Sequence, residues 1–263
     1  MSGFGTSSNK RKTSPVTGKP EWETVAITLD AQGSRFNHFT RNNRHLNITP
    51  FQAVRGDKLE KKEIINQRLA TEDLTSTKLL TNGAIGCAAS HKAIWEKSAK
   101  EGNNYFVMED DCYTHPKIND FIATNINRLT SADICFFGIN TDSILLSTSP
   151  QGLTSVSLFE PKHPSPEWIT KSLSTTITDR VELHRLIKAF GTCAYFISPK
   201  GAQKLVEKIF PLSLKTTNIP LITERMPAIS IDRSGCAIYA EMEALICKPF
   251  LAYTPNIDST TKE

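Results

Sequence analysis

Three consecutive carboxylates, Glu109, Asp110 and Asp111, follow directly on the apolar run Tyr105-Phe106-Val107-Met108. Like charges set this close raise one another's pKa, and burial adds to the effect, unless a cation sits between them. Oxygen-only ligands of this kind suit hard ions such as Mn²⁺ or Mg²⁺. Taken alone, the triplet reads equally well as a solvated turn or a helix N-cap. A second group lies in "IGCAASHKAIW". There His91 stands four residues from both Cys87 and Trp95, so on a helix all three share one stripe. With Ser90 beside it, His91 is either a hydrogen-bonded core histidine or a donor facing a ligand. A third group is Leu29-Asp30, at the end of "ETVAITLD", with Arg35 one short turn later. A nucleotide's base and ribose dock at such a place in a Rossmann-type sheet, while Asp30 also suits a helix cap and Arg35 a solvent-facing helix.

The elements that must position these groups follow from the apolar pattern. "ETVAITLD" reads as a first strand, "SRFNHFTRNN" as an amphipathic helix with Phe36 and Phe39 on one side, and "ITPFQAVRG" as a second strand. "NGAIGCAASHKAIWEKSAKEG" is a helix stopped by Gly102. The short run before the triplet is a buried strand, followed by a helix at "INDFIATNINRL" and a strand at "ADICFFGIN". Strands alternating with helices predict a mainly parallel sheet covered by helices, within a single α/β domain. Ligands of such sheets bind past the carboxyl ends of the strands, where the triplet falls. Thr141 to Asp179, rich in Ser, Thr and Pro, reads as irregular loops. Order returns at "GTCAYFISPKGAQKLVEKIF", a strand and then a helix opened by Pro199. The last 45 residues carry no clear assignment.

Composition removes several classes of function. Four of the 31 basic residues (Lys10, Arg11, Lys12 and Lys19) lie in residues 1–20, which hold no acid; the remaining 27 match the 27 acidic residues. The body is formally neutral, so no electrostatic footprint for nucleic acid is present. Residues 1–20 are expected to form a disordered basic tail, open at most to weak peripheral contact with a membrane surface. Residues 21–257 form the expected domain and 258–263 a flexible C-terminus. Six cysteines without a CxxC pair argue for a reducing compartment rather than a disulfide frame or zinc knuckle. With no membrane-length apolar run and no apolar leader, the expected location is cytoplasmic.

Taken in order, these blocks resemble glycosyltransferase family 25, which includes bacterial lipooligosaccharide galactosyltransferases and collagen galactosyltransferases. The resemblance starts at "VAITLD" with Arg35 and continues through "PFQAVRGDKL". It is strongest at "IGCAASHKAIWEKS", where Gly86, Cys87, Ser90, His91 and Trp95 fall on the helix pattern. "YFVMEDD" matches the carboxylate motif and "GTCAYFISPKGAQKLV" the late strand–helix unit. Order and spacing agree over roughly residues 23–255, although "LSLKTTNIPLITERMPAIS" departs from the pattern.

The resemblance implies a GT-A-like fold and an inverting transfer of galactose, or glucose, from a UDP-sugar to a hydroxyl of a glycan acceptor. A cation bridging the diphosphate neutralises charge as the sugar–phosphate bond breaks. By analogy Glu109 and Asp111 hold the metal, with Asp111 the closest contact, and Asp110 reaches the ribose or the metal through water. Leu29, Asp30, Arg35, Ser90 and His91 are implied on the donor. Inversion also needs a base for the acceptor hydroxyl. Asp232 is the first candidate, ahead of Glu241 and Glu243, although "DRSG" is also an ordinary turn sequence. Gly191, Thr192 and Tyr195 are candidates for the acceptor side or for a buried strand. A metal-dependent phosphohydrolase and a non-catalytic nucleotide- or glycan-binding module are the rival readings.

Overall fold

The computed structural model describes residues 21–222 and 224–257. The expected basic tail and the last six residues lie outside the described residues. The chain runs β1 (Glu23–Thr28), α1 (Ser34–Asn42), β2 (Thr49–Gln52), α2 (Lys61–Asn66), α3 (Glu72–Thr75), α4 (Asn82–Glu101), β3 (Tyr105–Glu109), β4 (Tyr113–Thr114), α5 (Ile118–Ser131) and β5 (Ile134–Gly138). It continues with β6 (Ile144–Thr148), β7 (Thr154–Leu158), α6 (Pro166–Thr175), β8 (Glu182–Lys188), β9 (Ala194–Ile197) and α7 (Pro199–Ile209). Short strands β10 (Thr216–Thr217) and β11 (Met226–Pro227) precede α8 (Ile231–Ile238), β12 (Ala244–Lys248) and β13 (Ala252–Tyr253).

Nine strands make one sheet in the order β2-β1-β3-β9-β5-β12-β8-β6-β7. Pairing directions set β2, β1, β3, β5, β12 and β6 pointing one way, and β9, β8 and β7 the other. The parallel core is therefore as expected, with β9 inserted against the grain between β3 and β5.

Alternation along the central strands divides the interior into two cores. Val25, Tyr105, Val107, Ile134, Phe136, Tyr195 and Ile197 face one side. Ala26, Phe106, Met108, Cys135, Phe137, Ala194 and Phe196 face the other. Side chains of period 2 on a sheet covered on both faces produce the unbroken apolar runs seen in the sequence. The first core is roofed by α4 and α7 through Ile85, Ile94, Trp95, Leu205 and Ile209. The second is roofed by α1 and α5 through Phe36, Phe39, Phe121, Ile122 and Leu129. Phe106 is fully buried and meets Phe137 edge-on, ring centroids 5.3 Å apart. Burying one such side chain contributes about 1.5–3 kcal/mol.

Helix α4 carries the site histidine, and its ends are well specified. The Thr81 side chain accepts from Ala84 N–H at the start, and Gly102 closes the helix in the left-handed conformation at φ 68°. Its first turns press against the loop after β2. A Cβ on Gly86 would sit 2.7 Å from the Val54 carbonyl oxygen, so only glycine lets the backbones approach this closely.

The stretch 141–179 corrects the loop expectation, because it holds the β6–β7 hairpin and α6. The unassigned C-terminal region supplies α8, β12 and β13. β12 enters the sheet beside β5, and β13 pairs with β4 just past the triplet. Among the described residues no helix is long and apolar enough to cross a membrane.

Candidate active site

The register of the parallel strands brings the first and third groups together. Ile27 of β1 stands opposite Glu109 of β3, so Thr28, Leu29 and Asp30 leave the sheet beside the triplet. A cleft of about 670 Å³ opens there. Leu29, Asp30, Arg35, Ser90, His91, Glu109, Asp110 and Asp111 all line it. These are eight of the nine predicted site residues, and Asp232 is the one absent from the wall.

The three acids have different surroundings. Asp110 is braced on both oxygens: Thr28 Oγ1 donates to Oδ2 at 2.7 Å, and Arg35 Nε to Oδ1 at 2.7 Å. Arg35 also approaches Asp111 Oδ2 at 3.5 Å and donates to the Ile257 carbonyl at 3.3 Å. Glu109 Oε1 accepts from Thr192 Oγ1 at 2.7 Å and lies 3.4 Å from His91 Nε2. Burial pushes the Glu109 carboxyl up, but hydrogen bonding from His91 and Thr192 outweighs it and holds the group below the usual range. Asp111 has less support, with a side-chain hydrogen bond from Thr254 alone besides Arg35. Its side chain is only 11% exposed, and Oδ1 is buried without a hydrogen-bond partner. Burial, with the Glu109 charge next, outweighs Arg35 and raises its pKa to about 7. Of the three acids, Asp111 is the one with a buried oxygen left unpartnered.

His91 is held from behind by the first core. Trp95 Nε1 donates to Tyr195 Oη at 2.9 Å, and Tyr195 Oη lies 2.7 Å from His91 Nδ1. With the Tyr195 hydrogen directed at Nδ1, the network assigns the proton to Nε2, which faces Glu109 and Thr192 Oγ1, the latter at 3.3 Å. Tyr195 and Thr192 are buried and stand beneath the site, while neither lines the cleft. Gly191 is in the left-handed region at φ 87° with Asn140 packed against it. β9 explains why this trio is here. Running antiparallel to β3, it places Ala194 opposite Met108, so the residues that precede the strand arrive beside the triplet.

Ser90 lines the cleft and also ties two elements together. Its hydroxyl accepts from Val54 N–H at 2.8 Å and donates to the Gly86 carbonyl at 2.7 Å, which anchors α4 to the loop after β2. Asp30 accepts from Gln32 N–H at 2.9 Å and so shapes its own turn. Leu29 is 45% exposed and offers apolar surface to the cleft.

Asp232 lies in the first turn of α8, outside the cleft wall, yet near enough for its charge to help raise the Cys87 thiol's pKa, after burial and Glu109. Glu241 is exposed and paired with Lys208 at 3.1 Å. Glu243 abuts Asp133 at the start of β5, whereas the far end of β5, at Gly138, faces Ala194 beside the triplet. Among the cleft residues that the sequence reading missed are Thr28, Asn256 and Arg55. Asn256, at φ 49°, lines the cleft and donates from Nδ2 to His163 Nε2 at 2.8 Å; Arg55 joins the wall beside its partner Asp57. The left-handed Asn256 has no local signal stronger than its residue type.

A three-layer α/β fold with a charged cleft at the carboxyl ends of its strands defines this as a protein of the Rossmann-like GT-A class. The chain belongs to glycosyltransferase family 25: the profile of that family, described as "Glycosyltransferase family 25 (LPS biosynthesis protein)", matches residues 23–219. The chain is also 25% identical over 187 residues to a Haemophilus influenzae protein named "Putative glycosyltransferase", a match covering 70% of this chain and 56% of that one. The chain thus spans little more than half the length of that curated relative. Asp232 and Asn256 both fall beyond the family match.

Proposed function

We propose that this protein transfers a hexose, galactose first, from a UDP-sugar to a hydroxyl of a glycan acceptor, with inversion and with a divalent metal. The observation that carries the reading is Asp111, a buried carboxylate on the cleft with one oxygen unpartnered and a pKa raised to about 7. Such a group fits a hard cation, which would relieve its desolvation and its repulsion from Glu109. Asp111 would hold the ion, and the neighbouring Glu109 would add its charge without being the closest contact; when bound, Mn²⁺ or Mg²⁺ would supply charge neutralisation to a nucleoside diphosphate leaving group.

The other roles belong to the chain's own groups. Asp110 keeps the Arg35 guanidinium at the cleft, and Arg35 remains 41% exposed and able to meet an anionic donor. Leu29 and Asp30 border the end where a base and ribose would lie. His91 lines the cleft floor beneath the donor, with Nε2 facing Glu109 and Thr192. Asp232 is the proposed base for the acceptor hydroxyl, since its charge reaches Cys87 on the cleft wall while Glu243 sits at the opposite end of β5. The description of the family as LPS biosynthesis proteins supports a lipid-linked glycan as acceptor. Six free cysteines and the basic N-terminal stretch fit a cytoplasmic protein working at a membrane surface.

The test is a panel of UDP-sugars with Mn²⁺, with free UDP assayed in the presence and absence of lipid-linked or soluble glycans. UDP-galactose is expected to give acceptor-dependent UDP release. Release at the same rate without acceptor would make the protein a hydrolase, and failure to bind any UDP-sugar would remove the donor assignment.

A further inference from the structure

One cluster on the cleft floor has a chemistry that three acids do not. The side-chain donor atoms of Cys87, His91 and Glu109 all lie within 4.8 Å of one another. They supply one sulfur, one imidazole nitrogen and one carboxylate oxygen, and all three residues line the cleft. We propose that Cys87, His91 and Glu109 form a second cation site, selective for a borderline ion of the zinc class over the hard ion assigned to Asp111.

The spacing suits such an ion. In a tetrahedral site with bonds of about 2.0–2.1 Å, neighbouring N and O ligands stand roughly 3.3–3.4 Å apart. His91 Nε2 and Glu109 Oε1 are 3.4 Å apart. The longer bond to sulfur, about 2.3 Å, widens the remaining edges, and a small side-chain rotation of Cys87 closes what is left. The frame is rigid as well. Cys87 and His91 are successive-turn neighbours on α4, and Glu109 ends the central strand β3. The groups behind the ligands are also in place. Once Nε2 binds metal the His91–Tyr195 hydrogen bond reverses, Nδ1–H donating to Tyr195 Oη at 2.7 Å as the tyrosine hydrogen turns away, and Thr192 fixes Glu109 Oε1. Three protein ligands leave a fourth position toward the cleft, the arrangement of an accessible zinc rather than a closed structural one. Hard ions prefer oxygen and discriminate against this set.

Binding balances simply. The Cys87 thiol loses its proton to solvent as sulfur coordinates. The imidazole proton moves from Nε2 to Nδ1, so His91 stays neutral. No oxidant or reductant takes part.

The test uses the whole chain and Co²⁺ alone as the probe. Co²⁺ is expected to produce a sulfur-to-cobalt charge-transfer band in the near ultraviolet, displaced by Zn²⁺ and not by Mg²⁺. Cys87→Ser should abolish the band and Asp111→Asn should keep it while losing Mn²⁺-dependent UDP binding, so this site and the transferase reading succeed or fail separately. No band in the native chain with Co²⁺ in excess, or a band that survives Cys87→Ser, overturns the proposal. A second measurement needs no variant. Cys87 is half-buried and the other five cysteines are buried, so alkylation of the folded chain should mark Cys87 first. Zn²⁺ should slow that labelling at least tenfold over Mg²⁺, and equal rates in the two ions would also overturn the site.

Discussion

Thr28 and Asp110 are 82 residues apart in the chain and 2.7 Å apart in space, hydroxyl to carboxylate. With Arg35 on its other oxygen, Asp110 is satisfied before any ligand arrives, whereas its neighbour Asp111 keeps a buried oxygen without a partner. Two adjacent aspartates therefore divide the work: one braces the ends of two strands, the other waits for a charge.

That division predicts unlike phenotypes. Asp111→Asn should reduce UDP affinity in Mn²⁺ to its value in EDTA while the protein remains folded. Asp110→Asn should instead loosen Arg35, weakening UDP binding in both buffers alike. Isothermal titration of UDP with Mn²⁺ or EDTA distinguishes them, and a metal response that persists in Asp111→Asn would move the ion elsewhere.

Asp111 also predicts an unusual pH dependence. Its folded pKa of about 7 lies above the ordinary 3.8, so between those values the folded chain binds more protons than the unfolded one. This group's contribution is most favourable below pH 4, declines as pH rises, and levels off above pH 7, a loss on the order of a few kcal/mol. Without metal, Asp111→Asn should then be more stable than the native protein at pH 8, with the advantage shrinking toward pH 4. Urea unfolding of both proteins in EDTA measures it; a pH-independent difference would mean that the carboxyl is ionised throughout.

Tyr195→Phe removes the one atom that joins Trp95 to His91. A buried indole N–H loses its acceptor and the imidazole its orienting partner. The cost should be about 1–3 kcal/mol in chemical denaturation. In a double-mutant cycle, Trp95→Phe should be less harmful in the Tyr195→Phe background, and strict additivity would show that the three groups do not act together.

Gly86→Ala asks α4 to retreat from backbone atoms that side-chain motion cannot clear, the Val54 oxygen at 2.7 Å and the Gly56 nitrogen at 2.9 Å from the new Cβ. Overpacking of this kind costs about 1–3 kcal/mol. Because Cys87 and His91 ride on the same helix, donor binding should weaken along with the melting temperature. A normal melting temperature would show that the loop after β2 yields freely.

For the base, Asp232→Asn keeps shape and removes basicity. The transfer rate should fall by about 10²–10⁴-fold with UDP affinity retained. Glu241→Gln and Glu243→Gln should change it less than about threefold, under ~1 kcal/mol of barrier. Steady-state kinetics at saturating donor decide the matter, and near-normal turnover of Asp232→Asn would send the search for the base to the cleft wall itself.

The parts of the molecule that were legible in the sequence are those whose patterns are local. β1, β3 and β5 each hold a continuous apolar run (Val25–Ile27, Tyr105–Met108 and Ile134–Phe137), and α4 carries its own start and stop in Thr81 and Gly102. The β6–β7 hairpin was hidden because β7 inverts the usual polarity: Val156 and Leu158 are exposed while Ser155 and Ser157 are partly covered. β8 was hidden because it buries Lys188. At the site, the triplet and Arg35 announce themselves by type and position. Asn256 does not, since it reaches the cleft only through the distant pairing of β13 with β4.

Asn140 N–H donates to the Phe190 carbonyl at 2.9 Å, so the chain leaves for the β6, β7, α6 and β8 excursion and returns from it through one gap. The two ends of this excursion thus part and rejoin at one doorway beside the triplet, with Gly191 and Thr192 as its threshold, while β8 is tied back into the sheet against β12. Among the described residues β7 is the outermost strand of that room, with no strand on its far side, so the hairpin can be lengthened there while the carboxylates keep their positions.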